Sequence, residues 1–325
     1  MTLPQWHGTL NYGRLGISAK NNSNLLLLLA MLVMGALLTR NFMTGGNIIN
    51  LMRRISINGV MAAGFTVVLL AGGFDLSIGS TLSLCAVLMI GLEKSIGSLP
   101  ALVIVLFVGC AMGCLNGTLM WLTRGGTGEA FLITLGTALL GTSLALTYTN
   151  GYDLYGVKAL WYKALGQGSL WDIPIATLIW IGILLILQIF IKKTIVGKKL
   201  ILAGSNKKAA FLVGIDVNKY KMGAFMVAGL CASIAAILMT SRTTAASPRS
   251  GEGADFDAAI AAIIGGNSLI GGKGGMVQVM IGVLIYGLIT NILNLAGIDS
   301  VMQFVFKGVI LAIAIGLDGM KKSRI

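Results

Sequence analysis

Apolar residues run along this chain in long blocks separated by short polar or glycine-rich segments. A helix needs about 20 apolar residues, roughly 17–25 in practice, to cross the hydrocarbon core of a bilayer. Ten blocks approach that length: 24–42, 55–72, 75–92, 100–122, 129–148, 173–191, 222–240, 254–270, 275–296 and 301–318. The clearest is Ile173–Ile191, which carries no charge. The pattern predicts an all-α membrane protein, a polytopic bundle of about ten transmembrane helices. A tail (1–23), a membrane domain (24–318) and a short second tail (319–325) follow from the same boundaries. Asn24–Thr39 begins late for a cleaved signal peptide and no A-x-A site follows it, so it reads as the first retained span. Two junctions leave almost no loop, AGGFDLSIGS (71–80) and GGNSLIGGKGG (265–275). Each is either a tight surface turn or a re-entrant break inside the bundle.

Composition agrees with the pattern. The 325 residues are 56% hydrophobic and 11% charged, with a mean hydropathy of +0.89. A soluble domain carries roughly 25% charged residues, so this surface is built for lipid. Glycine supplies 45 residues, about twice the usual share of roughly 7%, which suits helices packed closely in a membrane. The four prolines and the lack of a three-residue period exclude collagen. Cys85, Cys110, Cys114 and Cys231 all lie inside apolar blocks and read as small hydrophobes rather than as a metal set or disulfide framework.

The net charge of +13 changes the picture through its distribution. Lys and Arg lie between and beyond the apolar blocks, as in membrane proteins, which argues against nucleic acid as a partner. Ten spans place fifteen of them on one side: Arg14, Lys20, Arg124, Lys273, Lys321, Lys322, Arg324 and the eight lysines of 192–221. The opposite loops hold eight: Arg40, Arg53, Arg54, Lys94, Lys158, Lys163, Arg242 and Arg249. The asymmetry predicts both termini in the cytoplasm, N-in and C-in.

Two features rise above hydropathy. Residues 72–79 (GGFDLSIG) resemble 265–272 (GGNSLIGG). Paired glycine-interrupted segments in two halves of a chain point to a transporter's substrate path, although glycine-rich hairpins also look alike in any glycine-rich chain. The second feature is the 192–221 loop, long for a membrane hairpin and strongly basic. Within it Lys207–Val213 (KKAAFLV) predicts a short helix stopped by Gly214. Such a helix is a docking surface for lipid headgroups or for a partner protein.

Catalytic chemistry is sparse. The single histidine, His7, lies in the first tail, and no H-E-x-x-H or cysteine cluster offers a metal site. A phosphate loop ending at Lys273 would need Gly at 267 and Ser or Thr at 274, where the chain has Asn and Gly. The ionisable candidates Asp75, Glu129, Asp255, Asp257 and Lys307 all sit near span ends or glycine breaks. Asp75 is expected to cap a helix starting at Leu76. Asp255 and Asp257 are expected to open the eighth span at its positive dipole end, and Lys307 to snorkel to the outer interface. None reads as a proton relay.

The runs GFTVVLLAGGFDLSIGS (64–80), GKKLILAGSNKKAAFLVGIDVNKYK (197–221), SPRSGEGADFDAAIAAIIGGNSLIGGKGG (247–275) and YGLITNILNLAGIDSVMQFVFKGVILAIAIGLD (286–318) closely resemble permease subunits of binding-protein-dependent ABC importers for ribose and related simple sugars. The resemblance covers roughly residues 24 to 318. It implies about ten helices per subunit and a second permease copy or close paralogue. It also implies cytoplasmic ATPase subunits and a periplasmic or lipid-anchored sugar-binding protein docking chiefly on 149–172 and 241–253. ATP and Mg would sit on the ATPase, so this chain itself needs no cofactor and is no enzyme. The 192–221 loop resembles the ATPase-coupling element, with Gly204, Asn206, Ala209, Ala210, Gly214 and Ile215 as coupling residues. Two departures are Lys208, where the fuller motif has an acid, and 123–137, which lacks a proline common in relatives. Candidates to line the sugar path are Asp75, Ser77, Asn116, Thr134, Thr137, Asn267, Ser268 and Gln303, each of which has interhelical hydrogen bonding as an alternative role. Permeases of the same family for nucleosides or a furanose signal share these motifs. A cation-coupled carrier would not need the docking loop. An enzyme acting on a lipid-linked substrate would need acids, bases or metal ligands clustered at one interface.

Overall fold

The structure is a computed structural model that describes residues 19–322. Along the chain these form α1 (Ala19–Leu38), α2 (Gly45–Leu70), α3 (Ile78–Ile96), α4 (Ser98–Thr123), α5 (Thr127–Thr149), β1 (Leu154–Tyr155), α6 (Leu160–Gln167), β2 (Ser169–Leu170), β3 (Ile173–Pro174), α7 (Ile175–Lys193), α8 (Ile195–Ser205), α9 (Lys207–Leu212), α10 (Val217–Thr243), β4 (Ala245–Ala246), α11 (Ala254–Gly265), α12 (Met276–Leu295) and α13 (Ser300–Lys322). The architecture is a helical bundle. Its strands only clip loops, β1 to β4 and β2 to β3, each pair antiparallel.

Among the described residues seven helices are long and apolar enough to cross a membrane: α2, α3, α4, α5, α7, α10 and α12. The apolar stretches Asn24–Leu38 of α1 and Ser300–Ile313 of α13 are shorter. The block at 254–270 differs from expectation. Its helix, α11, has 12 residues and spans about 18 Å at 1.5 Å per residue, too short for a core of about 30 Å. Gly266 ends it in the left-handed region at φ 105°, where a side chain is disfavoured. The block at 55–72 is longer than its apolar part, because α2 starts at Gly45 and carries Arg53 and Arg54 within its 26 residues.

The centre of the bundle is α2, α3 and α10. From Ile55 to Leu70 nearly every α2 residue is buried, so this helix is apolar all round because protein surrounds it. Helix α10 lies against α4 through glycine. Gly109, Gly113 and Gly117 recur every fourth residue on one face of α4, and a Cβ there would strike Gly229, Phe225 and Met222 respectively. The missing side chains let the two backbones approach, as in small-xxx-small membrane pairs. Large apolar side chains point outward instead, among them Leu99, Val103 and Phe107 of α4, Leu139 and Leu144 of α5, and Leu185, Ile186 and Ile189 of α7. That inside-out arrangement is a lipid-facing surface.

The 71–80 segment is an internal break rather than a surface turn. Residues 71–77 are buried apart from half-buried Phe74, whose ring meets Phe65 edge-on at 5.1 Å. The loop after β4 also enters the bundle, where the Gly251 N–H donates to Ser83 Oγ at 2.8 Å. Ser83 lies thirteen residues before the end of α3 at Ile96, or about 20 Å along the helix. The second half of 241–253 is therefore tied to α3 at Gly251, while Arg249 and Glu252 stay exposed.

Candidate functional site

Three groups of residues carry chemistry: the basic loop, the two glycine breaks and a cavity beside α3. The basic loop contains two helices. Thr194 caps α8 by accepting from the Gly197 N–H at 3.0 Å, and Asn206 caps α9 by accepting from the Ala209 N–H at 3.0 Å, the usual use of these residues at a helix start. Gly214, at φ 73°, stops α9, and the Ile215 N–H returns to the Ala210 carbonyl at 2.9 Å. Ala210 and Ile215 are thereby buried, whereas Phe211, Leu212 and Val213 are 78%, 83% and 66% exposed. An apolar tip thus projects from a basic loop. Two lysines hold its base, since Lys207 Nζ and Lys221 Nζ donate to the Gly125 carbonyl at 2.8 and 3.2 Å.

Gly204 has a different position from its neighbours. A Cβ on it would overlap the Leu70 carbonyl oxygen, because α8 lies directly against the end of α2. The second break reaches the same spot. A Cβ on Gly271 would stand 2.7 Å from Gly72 Cα and 3.0 Å from the Gly204 carbonyl oxygen, and the Gly272 N–H donates to the Leu70 carbonyl at 3.1 Å. The two similar glycine-rich segments therefore meet, with the basic loop packed onto both.

Five of the eight predicted path residues form one buried network. Thr137 Oγ1 donates to Asn116 Oδ1 (2.6 Å), Asn116 Nδ2 to Ser77 Oγ (2.7 Å) and Ser77 Oγ to Asp75 Oδ1 (2.7 Å). Thr134 Oγ1 accepts from the Leu76 N–H at 3.1 Å. This network ties the first break to α4 and α5. Asp75 does not cap a helix at Leu76 as expected. It accepts from the Ser77 N–H at 2.9 Å, which closes a turn, and α3 starts only at Ile78 with Ser77 as its cap residue. The other three lie apart. Asn267 closes the second break, donating to the Ala262 carbonyl (3.0 Å) and accepting from the Gly275 N–H (2.7 Å). Ser268 accepts from the Ile270 N–H at 3.3 Å. Gln303 sits at the start of α13, donating to Asn294 Oδ1 and the Ile298 carbonyl.

Lys307 does not snorkel outward. Its Nζ is 2.7 Å from Asp257 Oδ1, which also accepts from the Tyr286 hydroxyl at 2.6 Å, and it stands 5.0 Å from the centre of the Phe304 ring. Asp255 and Asp257 do lie in the first turn of α11.

A cavity of about 480 Å³ opens where α11 begins, walled by Leu76, Ser80 and Ser83 on one side and Thr142 and Leu146 on another. Arg249, Glu252, Asp255 and Phe256 complete it. Asp255 was weighed only as a helix-opening acid and Arg249 only as a loop charge within the expected docking segment 241–253, and none of these residues was read as lining a cavity. Their signal was weak: a serine every third residue at the head of α3, and three charges in seven residues before the shortest apolar block. Glu93 was also missed. It is buried at the far end of α3, where Oε1 accepts from Ser98 Oγ and the Lys158 N–H, both at 3.0 Å.

A lipid-facing helical bundle with internal helix breaks and an open cavity lined in part by charged side chains fits a multi-pass membrane transport protein. A family model described as the permease component of the branched-chain amino acid transport system matches residues 47–315, and the chain belongs to that permease family. It is similar to the ribose import permease RbsC of Bacillus subtilis (strain 168), with 37% identity covering 91% of this chain and 92% of the relative. The ribose import permease RbsC of Escherichia coli (strain K12) is 35% identical over 92% of this chain and 94% of its own. The D-allose transport system permease protein AlsC of the same strain is 31% identical over 90% and 89%. No solved structure matches the chain.

Proposed function

We propose that this chain is the membrane-spanning permease subunit of a binding-protein-dependent ABC importer that carries a monosaccharide across the bacterial inner membrane. The family description names branched-chain amino acids, but relatives that match about nine-tenths of this chain are named for ribose and D-allose, which favours a sugar. In this reading the chain crosses ten times, the eighth passage made by α11 together with the loop before it, which places both termini in the cytoplasm with the basic loop, and a second permease copy completes the path.

The observation that carries the reading is the α9 tip. Phe211, Leu212 and Val213 are apolar, largely exposed and held on a capped helix at the basic end of the bundle. An apolar tip in a water-facing loop gains by burial in a partner's groove, about 25 cal/mol for each Å² of apolar surface removed from water. A cytoplasmic ATPase carrying ATP and Mg is that partner. Closure of two ATPase subunits would push the tip, α8 would carry the push through Gly204 to Gly72 and Gly271, and both breaks would shift together. On the opposite face, exposed Tyr152, Tyr155, Trp161 and Trp171 suit docking of a sugar-binding protein.

The test is co-purification of the detergent-solubilised chain with candidate ABC ATPase subunits, comparing wild type with Leu212→Glu and Gly214→Asp. Binding by wild type and loss in both variants supports the reading. No ATPase binding, with uptake that follows a proton or sodium gradient, overturns it.

A further inference from the structure

The cavity beside α3 combines three properties that lipid does not permit together. It lies deep, because Gly251 is pinned to Ser83 about 20 Å along α3 from that helix's far end. It is lined by charge, from Arg249, Glu252 and Asp255. Arg249 and Glu252, the residues flanking that pinned segment, are also exposed on the chain. Among the described residues the one ion pair is Lys307–Asp257, so none of these three charges is ion-paired with another described residue. Ionisable groups at membrane depth face a water-filled path or a ligand.

Resting on the importer reading, we propose that this cavity is where the permease itself contacts the passing sugar, and that its lining selects an uncharged polyol. At about 480 Å³ it falls within the range of roughly 300–1,000 Å³ common for small-molecule sites. Its hydrogen-bonding inventory suits hydroxyl groups. The Glu252 and Asp255 carboxylates accept only, and the Arg249 guanidinium donates only. Ser83 Oγ accepts from Gly251 and keeps its proton to donate. Ser80 donates to the Ser77 carbonyl at 2.9 Å and keeps its lone pairs. The Thr142 hydroxyl makes no hydrogen bond within the described residues and offers both functions. A sugar hydroxyl donates and accepts at one atom, so it can answer every member of this set, while its C–H faces pack on Leu76 and Phe256. Two carboxylates against one guanidinium repel an anionic substrate.

The site is testable in proteoliposomes holding the complete importer, with sugar-loaded binding protein outside and ATP inside. The variants are Thr142→Val, isosteric at a hydroxyl that no described residue bonds, and Asp255→Asn. The readout is sugar delivered per ATP hydrolysed, measured for ribose and for a competing pentose. Each variant is expected to lower that ratio two- to tenfold, the usual worth of one hydrogen bond, and to change the preference between the two sugars. An unchanged ratio and unchanged preference in both variants would overturn the proposal, as would uptake and ATP hydrolysis falling in proportion. A wild-type complex that takes up no sugar with ATP would instead refute the importer reading on which the proposal rests.

Discussion

The Lys307–Asp257 pair makes a quantitative prediction about what holds α13 to the bundle. The charged atoms are 2.7 Å apart, and the side chains are 19% and 15% exposed. At an effective dielectric near 20 their attraction is about 6 kcal/mol, most of it offset by the cost of removing both ions from water. The net worth of the pair is therefore small, yet each member alone is costly. Lys307→Met leaves the Asp257 carboxylate with the Tyr286 hydroxyl as its remaining donor. Breaking a buried pair this way costs about 3–5 kcal/mol, and partial exposure places it near 3. Asp257→Asn leaves the ammonium only a neutral amide oxygen and the Phe304 ring and should cost somewhat less. The double variant removes both charges and should lie within about 1 kcal/mol of wild type. Membrane proteins of this size seldom unfold reversibly, so the assay is the temperature at which half of the detergent-solubilised protein leaves its monodisperse peak. Both single variants should fall well below wild type and the double variant should recover most of the loss. A double variant that loses the sum of the singles would show that the two residues do not interact and refute the reasoning.

Gly204→Ala should uncouple the loop from the breaks, because its Cβ would overlap the Leu70 carbonyl; ATPase co-purification should persist while ATP-driven uptake falls at least tenfold. Gly113→Leu should abolish recovery of folded protein, since a side chain there would force the α4 and α10 backbones apart, whereas Gly136→Leu, which faces open space, should be recovered normally. Glu93→Ala should free the segment before α6, whose Lys158 and Ala159 N–H groups it accepts, and trypsin should then cut after Lys158 at a rate at least several-fold higher. Asn116→Ala should cost only about 0.6–1.7 kcal/mol, the range for hydrogen bonds between membrane helices, read as a modest drop in the same melting temperature.

Hydropathy placed helices because a membrane span needs only length and apolarity, both local properties. It misjudged 254–270 because α11 gains its stability from neighbours on every side, so an apolar run there says nothing about reaching the far interface. Asp75, Ser77, Asn116, Thr134 and Thr137 could be picked as polar residues in apolar blocks. That they bond one another could not be read, because the partners lie up to about sixty residues apart. Lys307 and Asp257 escaped for the same reason, and so did the cavity, whose walls come from three separated segments. The breaks were visible as repeated glycine strings, but their meeting at Gly204 is a property of the folded backbone.

The contact among Gly72, Gly204 and Gly271 joins main chain to main chain. A joint made of side chains has play, since a rotamer can turn and absorb a small displacement. Three bare backbones have nothing to turn. A shift of α8 by even an ångström must either be passed to both breaks at once or open a gap at that point, so the joint behaves as a gear without backlash. It also resists gradual adjustment, because the smallest possible substitution adds a methyl group where there is no room for one.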